Sequence, residues 1–124
     1  MMCPCCSSKT YDACCKSYLD GKQIPPTAEA LMRSRYTAYS LANINYIADT
    51  MKEQALEGFD SKDAKAWAEQ VQWQKLDVLN SHEQEDRATV EFRAYYVYNG
   101  KLQVMQENSV FRRILGRWYY IGTA

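Results

Sequence analysis

The chain reads as an α+β domain, helices first and an antiparallel sheet after, behind a small cysteine-bearing module. Three observations carry that reading. All five cysteines of the 124 residues fall between positions 3 and 15. Apolar residues recur at helical spacing through much of the stretch from Thr27 to Gln70. From Val71 onward, aromatic and β-branched residues dominate and are broken by polar turns, the composition of strands. Helices followed by a meander place the sheet around the helices in a single domain.

Charge and composition narrow the possible roles. Fifteen basic and fifteen acidic residues cancel, which argues against a broad electrostatic footprint on nucleic acid or an acidic membrane. No run of about 18 apolar residues occurs, so no membrane span is expected. The start of the chain lacks the pattern of a secretory signal, and a cytoplasmic location is expected. In that compartment clustered cysteines stand for metal more often than for disulfides.

Cys3, Cys5, Cys14 and Cys15 fit the spacing C-x-C-x8-C-C. Two close thiol pairs joined by a short loop can supply the four soft ligands that a structural Zn²⁺ takes at tetrahedral corners. Pro4 stiffens the first pair. Thr10 is expected to cap a short helix carrying Cys14 and Cys15. Four thiolates around Zn²⁺ leave a charge near −2, which Lys9 and Lys16 are placed to offset. Near-adjacent cysteines bridge poorly, which disfavours disulfides, and Cys6 is the spare. A shell filled by protein leaves no open position for a substrate, so the metal would be structural.

Asp20-Gly21 to Pro25-Pro26 reads as a turn and linker, dividing the chain into a module at 1–20, a linker at 21–26 and a domain at 27–124. Thr27 caps a helix on which Leu31, Met32, Tyr36, Ala38, Tyr39 and Ala42 share a face, with Arg33, Ser34, Thr37 and Ser40 opposite. Arg35 falls inside the apolar arc. A second helix follows Asn43, and a third runs from a Ser61 cap to Gln70. Strands are expected at Val71–Leu79, Ala88–Tyr98, Lys101–Leu115 and Arg117–Gly122, with His82 exposed in the loop after the first. Asn99-Gly100 is the strongest turn signal, because both central residues of a type I′ turn take positive φ.

That turn fixes a register pairing Tyr98 with Lys101, Tyr96 with Gln103, Ala94 with Met105, Phe92 with Glu107 and Val90 with Ser109. One face then carries Val90, Phe92, Ala94, Tyr96, Met105 and Phe111, with Glu107 among them. A carboxylate there needs a partner for the same reason as Arg35, and the two are expected to meet as a buried pair or as a polar pocket lining. Tyr95, Val97, Leu102 and Val104 occupy the opposite face, as a patch for a partner or second copy, or as a surface covered by the cysteine module.

CPCCSSKTYDACC resembles the SEC-C motif, the zinc module at the C-terminus of the SecA translocation ATPase. Cys3, Pro4, Cys5, Ser7, Tyr11, Cys14 and Cys15 match it, whereas Cys6 and Ser8 replace its two glycines. With LMRSRYTAY at 31–39 and the order of later elements, the whole chain resembles the YchJ-like family. That resemblance implies a SEC-C motif joined to a cone-shaped domain similar to nuclear transport factor two and cystatin.

No nucleophile elbow, phosphate loop, dinucleotide fingerprint or catalytic metal motif appears in the sequence. The leading expectation is a non-enzymatic adaptor whose zinc module presents a surface to a protein partner, as the SecA resemblance implies; a homodimer through the hairpin face is a further possibility. The alternative is a small-molecule binder or enzyme using the cone interior, with Arg35 binding an anion, Glu107 acting as acid or base, and Tyr36 or Tyr39 donating hydrogen bonds.

Overall fold

Two tight turns set the sheet. In the computed structural model, which describes residues 2–124, Asn99 and Gly100 take φ of 52° and 75°, and Leu115 and Gly116 take 51° and 79°. Both pairs therefore reverse the chain with the twist that antiparallel strands require. Four strands follow in sequence order: β1 (Gln72–Gln84), β2 (Arg87–Tyr98), β3 (Lys101–Ile114) and β4 (Arg117–Thr123). The β2–β3 register runs from Tyr98–Lys101 through Phe92–Glu107 to Val90–Ser109, as the turn predicts.

β1 is longer than its composition suggests. It runs through Asn80, Ser81 and His82 to Gln84, and His82 pairs with Thr89 in the ladder. The loop position expected for His82 is thus corrected to an exposed strand position. Backbone pairing to β2 holds this polar stretch extended, even though its side chains bury almost nothing.

Five short helices precede the sheet: α1 (Lys16–Leu19), α2 (Ala28–Ser40), α3 (Ile44–Asp49), α4 (Glu53–Glu57) and α5 (Ser61–Gln70). Thr27 caps α2 by accepting from the Ala30 amide at 3.0 Å, and Asn43 caps α3 through the Tyr46 amide. Asp60, not Ser61, caps α5, since its carboxylate accepts from two amides of the first turn. Among the described residues, no helix is long and apolar enough to cross a membrane.

α2 is the axis of the domain. Its buried residues include Ser34 and Thr37, which were expected on an outward polar face, alongside Leu31, Met32, Tyr36 and Ala38. The sheet packs on one side and the cysteine module on another, so no long face is left for water. The main apolar cluster accordingly joins Cys3, Cys5 and Cys15 to Leu31, Tyr36, Val90, Phe111 and Trp118. The chain between α3 and α4 adds itself to the outer edge of the sheet. Tyr120 donates its amide to the Thr50 carbonyl at 2.9 Å, and Lys52 donates to the Tyr120 carbonyl at 3.0 Å. That pairing satisfies part of an edge strand that would otherwise be open.

On the outer face of the β2–β3 hairpin, Leu102 and Val104 remain exposed and Tyr95 and Val97 are half-buried. The cysteine module therefore leaves Leu102 and Val104 uncovered.

Candidate functional site

The four cysteines of the C-x-C-x8-C-C spacing come together. Their sulfurs lie within 4.8 Å of one another, with Cys5 to Cys14 at 3.6 Å and Cys14 to Cys15 at 3.8 Å. A tetrahedral ion with metal–sulfur bonds of about 2.3 Å separates its sulfurs by roughly 3.8 Å, so the cage has the size such an ion needs. Cys3, Cys5 and Cys15 are buried; Cys14 is half-buried.

Turns and one bridge build the cage. Met2 and Thr10 form an antiparallel bridge, the Cys3 amide donates to the Lys9 carbonyl at 2.9 Å, and the Cys6 amide folds back onto the Cys3 carbonyl at 3.2 Å. The helix expected to carry Cys14 and Cys15 is not there. Both lie in the turns before α1, whose first residue is Lys16, and Thr10 is committed to the bridge rather than to a cap. Cys6 and Ser8, which replace the two motif glycines, take φ of 62° and 70°. The loop keeps the left-handed backbone that glycine would adopt freely, at a conformational cost for each L-residue. Cys6 points away from the cage: its sulfur accepts from the Leu76 amide and faces the Pro4 carbonyl.

The surroundings of the sulfurs come from α2. Thr37 donates its hydroxyl to Cys15 Sγ at 3.4 Å and sits 3.6 Å from Cys3 Sγ, and Arg33 donates to the Cys5 carbonyl at 2.7 Å. From the module itself, Ser7 Oγ lies 3.1 Å from Cys14 Sγ. The cation that reaches the cage is therefore Arg33, which also pairs with Glu29 at 3.1 Å, whereas Lys16 is engaged with Asp20 at 2.6 Å. The i, i+4 polar pair Arg33 and Thr37 was the available signal; on a helix enclosed from both sides such a stripe must meet a second polar group.

Crowding four thiols distorts their titration. A hydrogen bond from Cys15 holds the Cys5 thiol well below its usual range, at about 4, against the opposing effect of burial. Cys15 is pushed up by donating that bond and by burial, and Cys14 is pushed up chiefly by burial. A divalent cation is what lets all four ionise together, because it neutralises the charge that otherwise keeps the remaining protons on.

The pocket residues also converge, though not as a direct ion pair. Arg35, Tyr36, Tyr39 and Glu107 line one cavity of about 190 Å³ between α2 and the sheet. One Arg35 nitrogen donates to the Ile47 carbonyl at 2.9 Å and to Thr50 Oγ1 at 2.7 Å, and the guanidinium stacks over the Tyr120 ring at 4.7 Å. Glu107 instead accepts from the Tyr120 hydroxyl at 3.1 Å and from the Ser109 hydroxyl. Tyr120 stands between the two charged groups, so they share the cavity lining, the second of the two arrangements expected, and do not pair directly. Tyr36 and Tyr39 present ring edges and faces to Trp73 at 5.5 and 6.0 Å.

A four-cysteine cage seated on the helix of an NTF2-like α+β domain defines a SEC-C motif protein of the cone-fold class. The comparisons agree. A family model described as the middle NTF2-like domain of YchJ matches residues 27–123, and the chain belongs to the YchJ-like family. A UPF0225 protein of Geobacter sulfurreducens is 38% identical over 122 residues, covering 96% of this chain and 76% of that protein. A UPF0225 protein of Corynebacterium glutamicum is 34% identical, covering 95% and 92%. The solution structure of a SEC-C motif protein from Rhodopseudomonas palustris superposes with a TM-score of 0.93 at 41% identity, over 100% of this chain and 98% of that one. A SEC-C motif protein from Psychrobacter arcticus gives 0.84 at 30% identity, over 96% and 79%.

Proposed function

We propose that the protein is a zinc-bearing, non-enzymatic adaptor in which the metal folds the N-terminal module and the module offers a surface to a protein partner. The observation that carries this reading is the closed sulfur cage: four thiols at tetrahedral separation, three of them buried, with no place left for a substrate ligand. All-sulfur donors suit Zn²⁺ better than Mg²⁺ or Ca²⁺, which take oxygen. Cys3, Cys5, Cys14 and Cys15 hold the ion; Thr37, Ser7 and Arg33 orient the cage and offset its charge.

A groove of about 770 Å³ runs along the seam of the module and the domain, lined among others by Lys9, Asp12, Glu29, Arg33 and Glu83. Charges of both signs on a surface shared by module and domain suit a polar protein segment, and would tie its docking to an intact cage.

The test has two arms. Protein purified under reducing conditions is expected to carry one zinc per chain by elemental analysis, and Cys14→Ser/Cys15→Ser to carry none; a wild-type protein without stoichiometric zinc defeats the metal assignment. Pulldown from bacterial lysate with Lys9→Glu/Glu83→Lys, which leaves the cage intact, is expected to lose a partner that wild type retains. Identical partner sets for the two proteins would defeat the adaptor reading while leaving the zinc in place.

A further inference from the structure

The sulfur cage is open to solvent on one side. Cys3, Cys5 and Cys15 are 5%, 0% and 1% exposed, whereas Cys14 is half-buried and lines the groove at the seam of module and domain. A reagent arriving from water therefore meets Cys14 first. The groove around it carries Lys9, Asp12, Ser17 and Glu29, a lining that admits small polar molecules and offers little to apolar ones. Cys6, the other accessible thiol, is not one of the four that converge; its sulfur meets the Leu76 amide and the Pro4 carbonyl instead.

The four sulfurs divide into two pairs. Cys3 and Cys15 are pinned on α2, where Thr37 donates its hydroxyl to Cys15 Sγ and sits 3.6 Å from Cys3 Sγ. Cys14 instead makes its shortest sulfur contact with Cys5, at 3.6 Å, against 3.8 Å to Cys15. Cys14 and Cys15 are adjacent in the chain, where the Cβ positions a relaxed disulfide needs are hard to reach. Cys5 and Cys14 stand nine positions apart and can close an ordinary loop.

We infer that Cys14 is a modification site for hydrogen peroxide and that Cys5 resolves it, which makes the cage an oxidant-sensitive clasp. The Cys14 thiolate attacks one peroxide oxygen: an S–O bond forms, the O–O bond breaks, and hydroxide leaves. The Cys5 thiolate then attacks the Cys14 sulfur: an S–S bond forms, the S–O bond breaks, and a second hydroxide leaves. Two thiolates, one peroxide and two protons from water thus give one disulfide and two waters. The sulfurs give up two electrons and the peroxide takes them.

A disulfide sulfur is no longer a thiolate, so two metal-binding thiolates remain where four stood. The ion is lost, the module loses what folds it against α2, and the groove at the seam goes with it. A thiol reductant together with Zn²⁺ restores both. Metal release rests on the zinc site proposed above, whereas the Cys5–Cys14 bond does not.

The full chain, reduced and then freed of reductant, is treated with limiting hydrogen peroxide. Zinc release is followed with a chromogenic chelator, and the bonds formed are mapped by fragmentation mass spectrometry after trypsin, which cuts at Lys9 between the two cysteines. The expected result is about one zinc released per peroxide consumed, with Cys5 joined to Cys14. Cys6→Ser, which removes the accessible thiol outside the cage, releases zinc at the wild-type rate. Cys14→His, which keeps a zinc ligand but no oxidisable sulfur, releases it at least about tenfold more slowly. Should that variant not hold zinc, trapping of the first sulfenic acid in wild type with dimedone decides in its place, and Cys14 is expected to carry the label. Protein that arrives without zinc defeats the metal assignment alone, and the disulfide map still decides for or against Cys14. A disulfide between any other pair, oxidation confined to Cys6 with the cage intact, or equal release rates in wild type and Cys14→His overturns the inference.

Discussion

Helix α2 separates two polar centres that are built by opposite means. Near Arg33 and Thr37, the sulfur cage has neighbours for every group: thiols close on thiols, a hydroxyl donates to sulfur, and a guanidinium covers a ligand's carbonyl. Near Arg35, the cavity brings an arginine and a glutamate to one space and lets a tyrosine stand between them. The first centre is held by covalent spacing over thirteen residues and has the size of a tetrahedral metal site. The second is held by aromatic packing from α2, α5 and all four strands, and it leaves room. A closed centre organises structure; an open, charged and aromatic one has capacity for a ligand.

Removing the metal tests the difference most severely. Structural zinc contributes an apparent binding free energy of about 10–16 kcal/mol to small modules of this kind. Chelation, or Cys14→Ser/Cys15→Ser, is expected to abolish amide protection over residues 3–19 while the β2–β3 ladder stays protected. Because Cys3, Cys5 and Cys15 pack into the main apolar cluster, the melting temperature of the remaining domain should also fall. Full retention of module protection without metal would dissolve the contrast between the two centres.

Within the sheet, Trp118→Ala should cost about 3–5 kcal/mol by denaturant unfolding, since Trp118 is almost wholly buried in the main apolar cluster. The surviving folded fraction should keep its metal stoichiometry, because the substitution removes none of the four sulfurs.

Smaller effects sharpen the comparison within α2. Thr50→Val leaves Arg35 without its hydroxyl acceptor, and the lost buried bond should destabilise by about 1–3 kcal/mol in the same unfolding assay. Thr37→Val removes the hydroxyl that faces Cys15 and Cys3. A stability loss near 1 kcal/mol is expected, with zinc transfer to a chromogenic chelator about tenfold faster. If the two variants traded signatures, so that Thr50→Val sped metal loss, the centres would be coupled through the helix. The least effect belongs to Ser8→Gly, which restores glycine where φ is 70° on an exposed loop; thermal unfolding should show a gain of up to about 1 kcal/mol.

Much of this was legible from near neighbours in the chain. Asn99-Gly100 specified a turn, the turn specified every pair from Tyr98–Lys101 to Val90–Ser109, and that register placed Glu107 on the inner face beside Phe92 and Phe111. The cysteine spacing identified the four residues that converge, and the replaced glycines marked the two left-handed positions in their loop. In each case a dihedral or a count of intervening residues does the specifying, and both are local quantities.

What the residues alone left open was decided by which elements meet. Ser34 and Thr37 look outward on a helix drawn in isolation, but are buried because a second layer closes over them. His82 sits in a strand because β2 offers it a partner, and Arg35 finds Ile47, Thr50 and Tyr120 because two later segments, α3 with its cap and β4, arrive around it. Periodicity reports a single surface at a time, whereas burial and charge pairing are set by contacts between residues far apart in the chain. For that reason the cage could be read from the sequence, whereas the choice between an ion pair and a pocket lining for Arg35 and Glu107 was made only by the fold.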